Sequence, residues 1–180
     1  MPPASPALTT VLPDASSTRA LGALLGSALH AGDVLALVGP LGAGKTTLVQ
    51  GLAESVDVPP DVAVQSPTFT VCNEYPARVP LLHVDLYRLG DLSEAEDIGL
   101  VDRLRDGDGL SVVEWADRLP DLLPQTSLWI HLTQHGAQRR VVVAERDGGS
   151  LDWLAESPPA GSDGWETWTG SRPWEASSSD

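Results

Sequence analysis

The chain has 180 residues, with 11 Lys+Arg against 25 Asp+Glu and a formal net charge of −14. A chain of this length suits one domain with a complete core. So acidic a surface excludes an autonomous nucleic-acid binder, which needs cations to displace phosphate counterions, and adhesion to an anionic membrane.

The basic residues are ten arginines and one lysine, Lys45, so lysine chemistry is confined to that position. The start, Met1-Pro2-Pro3-Ala4-Ser5-Pro6, lacks the cationic and apolar regions of a secretory signal. A soluble cytoplasmic protein without a membrane partner is expected. Leucines at 21, 24, 25 and 29 give Ser16 to Ala31 a helical apolar stripe. Asp33 to Val38 reads as a buried strand and Lys45 to Ser55 as a helix. Phe69 to Tyr75 and Val79 to Val84 read as strands, and the acid-rich stretch Ser93 to Arg105 as one helix. Leu110 to Val113, Leu128 to Leu132 and Val141 to Ala144 complete the strands. Cys72, the one cysteine, cannot form an internal disulfide and reads as a small apolar residue in a strand. Apolar strands alternating with helices predict an α/β fold, a mostly parallel central sheet flanked by helices with antiparallel edge strands. Residues 1–154 carry this pattern. Residues 155–180 are acidic and rich in Ser, Pro, Gly and Trp, and are expected to form a disordered extension. Trp165, Trp168 and Trp174 leave open docking onto a partner or back onto the domain.

Gly39-Pro40-Leu41-Gly42-Ala43-Gly44-Lys45-Thr46 fits G-x-x-x-x-G-K-[ST], between a buried strand and a helix, which marks residues 1–154 as a P-loop domain. In such a loop, glycines let backbone N–H groups turn toward phosphate oxygens, and the helix N-terminus adds partial positive charge. Lys45 is placed between the β- and γ-phosphates, Thr46 on Mg²⁺, and Gly39, Gly42, Ala43, Gly44 and Thr47 around the phosphates. Asp85 and Glu114 each end an apolar strand. If their strands run parallel to the one before Gly39, all three positions emerge at one sheet edge, where open α/β folds bind ligands. No lysine follows position 45 to build an Asn-Lys-x-Asp guanine reader, so ATP is expected.

These pieces together resemble the TsaE (YjeE) family of bacterial tRNA threonylcarbamoyladenosine synthesis. The resemblance rests on Leu41 to Thr47, Ser66-Pro67-Thr68-Phe69, His83-Val84-Asp85-Leu86-Tyr87-Arg88-Leu89 and Glu114-Trp115, and covers roughly residues 10 to 145. Pro40 stands where the family typically has an acid, at a position that points away from the phosphates in most P-loops. The resemblance implies a Mg²⁺-dependent ATPase, weak alone, that works with TsaB and TsaD. TsaD, not this subunit, threonylcarbamoylates adenosine 37 of tRNAs reading codons that begin with A, and tRNA is met only through the complex.

On resemblance and chemistry alike, Lys45, Asp85 and Glu114 are the catalytic candidates and Thr46, Asp85 and Glu114 the metal candidates. Either acid is placed to orient the attacking water. Thr68 reads either as a sensor of the γ-phosphate or as part of a turn before a strand. Tyr87 and Trp115 either shield the nucleotide or pack as ordinary aromatics. Arg88 is expected to pair with a carboxylate, and His83 to face the packed side of its strand. Thr18 and Arg139 or Arg140 are candidates for the adenine or ribose side. Two rival readings remain: a small-molecule P-loop kinase, and a non-catalytic adaptor shaped by bound nucleotide.

Overall fold

The computed structural model describes residues 7–145, 150–171 and 173. The expectations for the first six residues and for Trp174 lie outside them. Eight strands, β1 (Ala7–Leu12), β2 (Val34–Val38), β3 (Cys72–Tyr75), β4 (Leu81–Asp85), β5 (Leu110–Glu114), β6 (Leu128–His135), β7 (Gln138–Glu145) and β8 (Glu166–Trp168), form one sheet. Its order is β3-β4-β5-β2-β6-β7-β1-β8. The central four, β4, β5, β2 and β6, run parallel. The margins are antiparallel: β3 on one side, and β7, β1 and β8 on the other. This is the α/β architecture that the strand and helix pattern predicts.

The helices are α1 (Ala15–Ala28), α2 (Lys45–Ser55), α3 (Leu92–Asp97), α4 (Leu100–Arg105) and α5 (Asp152–Ala155). Period-two alternation sends Leu35 and Leu37 of β2 into one core with α1 and α2, and Val34, Ala36 and Val38 into a second core with α3 and α4. The first core includes Leu21, Leu25, Leu48 and Leu52, all fully buried. Helices α1 and α2 meet at backbone distance: a Cβ on Gly22 would lie 2.0 Å from the Leu48 carbonyl oxygen, and one on Gly51 2.0 Å from that of Arg19. The contact sets the first turn of α1 beside the start of α2.

Three expectations are corrected. The single helix from Ser93 to Arg105 is two short helices, because Gly99 adopts φ +70 between them. The strand begins at Cys72 rather than Phe69, since Val71 has φ +67 and its N–H closes a turn onto the Pro67 carbonyl at 2.7 Å. Residues 66–70 are thereby freed to form a loop. The third concerns the expected disordered extension. Within the described residues the chain beyond Ala155 returns to the sheet, and β8 pairs with β1. Thr10 Oγ1 donates to the Gly164 carbonyl at 2.6 Å and Trp165 Nε1 to that of Ser157 at 3.2 Å. Trp165 packs on the α1/α2 core and Trp168 on the opposite one. A low apolar fraction rules out an independent core, but not docking on an edge whose backbone groups and apolar faces already exist. Strand β1, for which the sequence pattern gave no expectation, is fixed by its antiparallel pairing with β7. No helix among the described residues is long and apolar enough to cross a membrane.

Candidate functional site

The loop from Gly39 to Gly44 joins buried β2 to α2 and uses glycine for two different reasons. At Gly39 (φ +149) a Cβ would sit 2.2 Å from the Leu132 carbonyl oxygen on β6, so only a hydrogen fits. Gly42 (φ +77) and Gly44 (φ +105) instead have left-handed backbones with open space or ordinary contact around them. The Lys45 side chain folds back over the loop: Nζ donates to the Gly39 carbonyl at 2.6 Å and the Pro40 carbonyl at 3.0 Å. It also lies 4.1 Å from the Trp115 ring centroid. Lys45 is 4% exposed. Burial pulls its pKa below the ordinary lysine value, against the opposing charges of Glu114, Asp85 and Asp117.

The acids arrive from the next two parallel strands. Asp85 pairs in register with Glu114, and Glu114 with Leu37, so the ends of β4, β5 and β2 share one edge. Both carboxylates are buried, at 2% exposure each. Thr46 Oγ1 donates to Glu114 Oε1 at 3.0 Å, with Oε2 at 3.3 Å. Glu114 Oε1 also lies 2.8 Å from His83 Nε2. Asp85 Oδ2 accepts from Ser66 Oγ at 2.6 Å and Thr68 Oγ1 at 3.1 Å, and Oδ1 from the Tyr87 N–H at 2.8 Å. The 66–70 loop thus reaches the site through Asp85.

Trp115 follows β5 in a left-handed conformation, φ +58, unusual for a bulky residue and costing about 1–2 kcal/mol. Its ring meets both Lys45 and Tyr87, the latter at a centroid distance of 4.9 Å. Arg88, expected beside a carboxylate, has its guanidinium 4.4 Å from the centroid of the Phe69 ring, which is 83% exposed. On the other side of the loop a cleft of about 120 Å³ is lined by Asp14, Thr18, Gly44, Thr47, Ala137 and Arg139, among others. Arg139 fastens the loop there, donating from Nε to the Ala43 carbonyl at 3.0 Å and from Nη2 to that of Gly42 at 3.3 Å. Two larger clefts, about 600 and 590 Å³, lie beside the outer face of α2 and at the far ends of β4 and β5. Neither contains the converging lysine, threonine and acids, so chemistry rather than volume marks the site.

Most of the candidates gather around one loop, Thr18, Thr47 and Arg139 in the cleft and Lys45, Thr46, Asp85, Glu114 and Trp115 at the sheet edge; Arg140 instead lines a separate cleft with Thr9, Thr10 and Trp168. Hard oxygen donors from Thr46, Glu114 and Asp85 suit Mg²⁺. Among the described residues no cluster of three His, Cys, Asp or Glu side chains could hold a metal alone. Sequence reasoning missed two contacts. Ser66 is a second hydroxyl on Asp85, and His83, expected merely to pack, meets Glu114. The signal for His83 was its position two residues before Asp85, which puts both on one face of β4. His131, beside Val38 on β6, was also not singled out. Burial holds its pKa below the ordinary histidine value, Asp117 opposing and the Lys45 charge adding.

The family described as "Threonylcarbamoyl adenosine biosynthesis protein TsaE" matches residues 12–142. A tRNA threonylcarbamoyladenosine biosynthesis protein TsaE from Bacillus subtilis (strain 168) is 40% identical over 148 residues, 82% of this chain and 89% of that protein. The protein of the same description from Nostoc sp. is 44% identical over 126 residues, covering 68% and 75%. The one from Mycobacterium tuberculosis H37Rv is 41% identical over 134 residues, covering 69% and 77%. Among solved structures, the crystal structure of YdiB from Bacillus subtilis superposes with a TM-score of 0.64 at 34% identity, covering 77% of this chain and 86% of that one.

Proposed function

The chain belongs to the TsaE family of tRNA threonylcarbamoyladenosine biosynthesis proteins, and from that premise we propose that it is the pathway's ATP-binding and ATP-hydrolysing subunit. It acts in the cytoplasm with TsaB and TsaD, supports threonylcarbamoylation of adenosine 37, and reaches tRNA through those partners. The observation that carries this reading is the hydrogen bond between Thr46 and Glu114 across the mouth of a loop fitting G-x-x-x-x-G-K-T. It joins a phosphate-loop hydroxyl to a strand-end acid, the pairing that a nucleotide-bound Mg²⁺ needs. The net charge of −14 supports assigning tRNA to the partners.

The geometry supports the following roles. Lys45 exchanges the Gly39 and Pro40 carbonyls for phosphate oxygens, which are stronger acceptors for a buried ammonium. The loop backbone and the N-terminus of α2 hold the phosphates. Thr46, Glu114 and Asp85 would hold Mg²⁺, which would supply charge neutralisation to the bound phosphates. Asp85, fixed by Ser66, Thr68 and the Tyr87 amide, ties the 66–70 loop to the phosphate end of the site. Glu114 orients the attacking water, and Trp115 with Tyr87 screens Lys45 from solvent. A kinase reading needs lid arginines over the site. Arg88 is laid on Phe69, and Arg103 is bound to Glu74 and the Cys72 sulfur on the edge strand β3.

The test compares wild type, Lys45→Ala and Glu114→Gln in ATP binding, in hydrolysis with and without TsaB–TsaD, and in tRNA modification over several turnovers. Lys45→Ala is expected to lose binding. Glu114→Gln keeps binding and loses hydrolysis by about 10²-fold or more, the usual contribution of a positioned base. Undiminished multiple-turnover modification by Glu114→Gln would mean that bound nucleotide only shapes a docking surface, and the ATPase reading fails.

A further inference from the structure

We infer that His83 is a positioning residue for Glu114, a hydrogen-bond donor built into the sheet that keeps this carboxylate aimed at the loop when Thr46 turns to the metal. The inference rests on the proposed ATPase reading and concerns the same site.

His83 is fully buried on β4 and lies diagonally across from Glu114 on β5, its own register partner being Val112. Nε2 stands 2.8 Å from Glu114 Oε1, while Nδ1 is buried without a hydrogen-bond partner among the described residues. An ionised carboxylate can only accept, so the ring must bring its hydrogen at Nε2. A hydrogen at Nε2 meets that demand, and a lone pair at Nδ1 leaves no buried donor there. A Nδ1–H would instead bury a donor with no acceptor, the costlier arrangement. The Tyr75 ring, centroid 6.4 Å away on β3, packs near the imidazole.

Glu114 has two donors of different character. Thr46 belongs to the phosphate loop, and its hydroxyl is the group assigned to the cation. His83 lies on β4, paired in parallel with β5, and its hydrogen bond to Glu114 is made within the sheet rather than from the 39–46 loop. A hydroxyl that gives a lone pair to the cation keeps its hydrogen, but the metal then sets its direction, so Thr46 no longer fixes by itself the orientation of a carboxylate at 2% exposure. The His83 N–H holds Oε1 in place, leaving Oε2 for the metal shell or the attacking water. Outer partners of this kind orient metal-binding carboxylates, and removing them typically costs about 10–100-fold in metal affinity.

The experiment uses the full chain and compares His83→Gln, His83→Asn and His83→Leu. Glutamine carries an N–H at about the reach of Nε2, whereas asparagine stops near Nδ1. Calorimetric titration with ADP, with and without Mg²⁺, gives the metal-dependent gain in affinity independently of turnover. His83→Asn and His83→Leu are expected to lose about 10–100-fold of that gain, with metal-free ADP binding unchanged, and His83→Gln to retain it. Nitrogen-detected NMR of the unloaded wild type should report the Nε2–H tautomer. Equal behaviour of Gln and Asn, an equal fall in metal-free binding, or the Nδ1–H tautomer overturns the inference. Should the leucine variant not fold, the Gln–Asn contrast decides alone. A wild type with no Mg²⁺-dependent gain and no hydrolysis overturns the function and this inference together. A wild type with both, but no Gln–Asn contrast, removes only the role of His83.

Discussion

Alanine at Gly39 and at Gly42 should have sharply different costs, although both are fixed glycines or neighbours within one short loop. At Gly42 the added methyl meets nothing within 4 Å, and the penalty is the left-handed backbone alone, φ +77. That is about 1–2 kcal/mol, or a fall in Tm of about 2–8 °C for a chain of this size. At Gly39 the positive φ of +149 is joined by a Cβ only 2.2 Å from the Leu132 carbonyl oxygen. This oxygen is backbone of a central parallel strand, so relief requires β2 and β6 to part just where the loop begins. Overpacking of this kind adds about 1–3 kcal/mol, for a total of about 2–5 kcal/mol. A domain stable by about 5–15 kcal/mol loses a large share of its margin. Urea unfolding of both variants gives the difference, and ADP titration shows whether the Gly39 variant also loses its phosphate loop. If Gly39→Ala is no more destabilising than Gly42→Ala, the argument from close approach is wrong.

The strap formed by β8 gives a second prediction. Ending the chain after residue 156 uncovers the free side of β1 and removes Trp165 and Trp168 from the two cores, at an expected cost of about 2–4 kcal/mol from lost apolar burial. An unchanged Tm would show that the strap does not stabilise the domain. The third prediction is a pH dependence. Burial holds the folded-state pKa of His131 below 6.5, so between that lowered value and 6.5 the unfolded chain binds a proton that the folded chain does not. The histidine therefore makes stability rise with pH through this window and level off above it. His131→Asn should flatten that rise in urea melts across the same range, whereas parallel curves for the two proteins would refute it.

The sequence was most informative where a short stretch carries its own chemistry. The 39–46 motif, the acids at 85 and 114 and the apolar runs around them read directly, because strand ends and glycine turns are local events. Thr68 and Trp115 were visible as residues, but not their partners. Ser66 joins Thr68 on Asp85 only because Val71 reverses the chain before β3. Arg88 went to an aromatic face because Phe69 stays on the surface beside it. Neither choice can be made from neighbours in the chain.

By itself the sequence determined the α/β class, the loop fitting G-x-x-x-x-G-K-[ST] with its single lysine, and the edge at which the acids would meet if their strands ran parallel. Tertiary structure decided which glycine is required by a carbonyl from β6 and which by its own φ. It also set a buried histidine against Glu114, and paired β8 of the tail with the edge of β1. The reason is one of range. Backbone propensity and period-two burial act within a few residues, whereas these contacts join positions from about 30 to more than 150 apart in the chain. They exist only once the sheet has chosen its strand order.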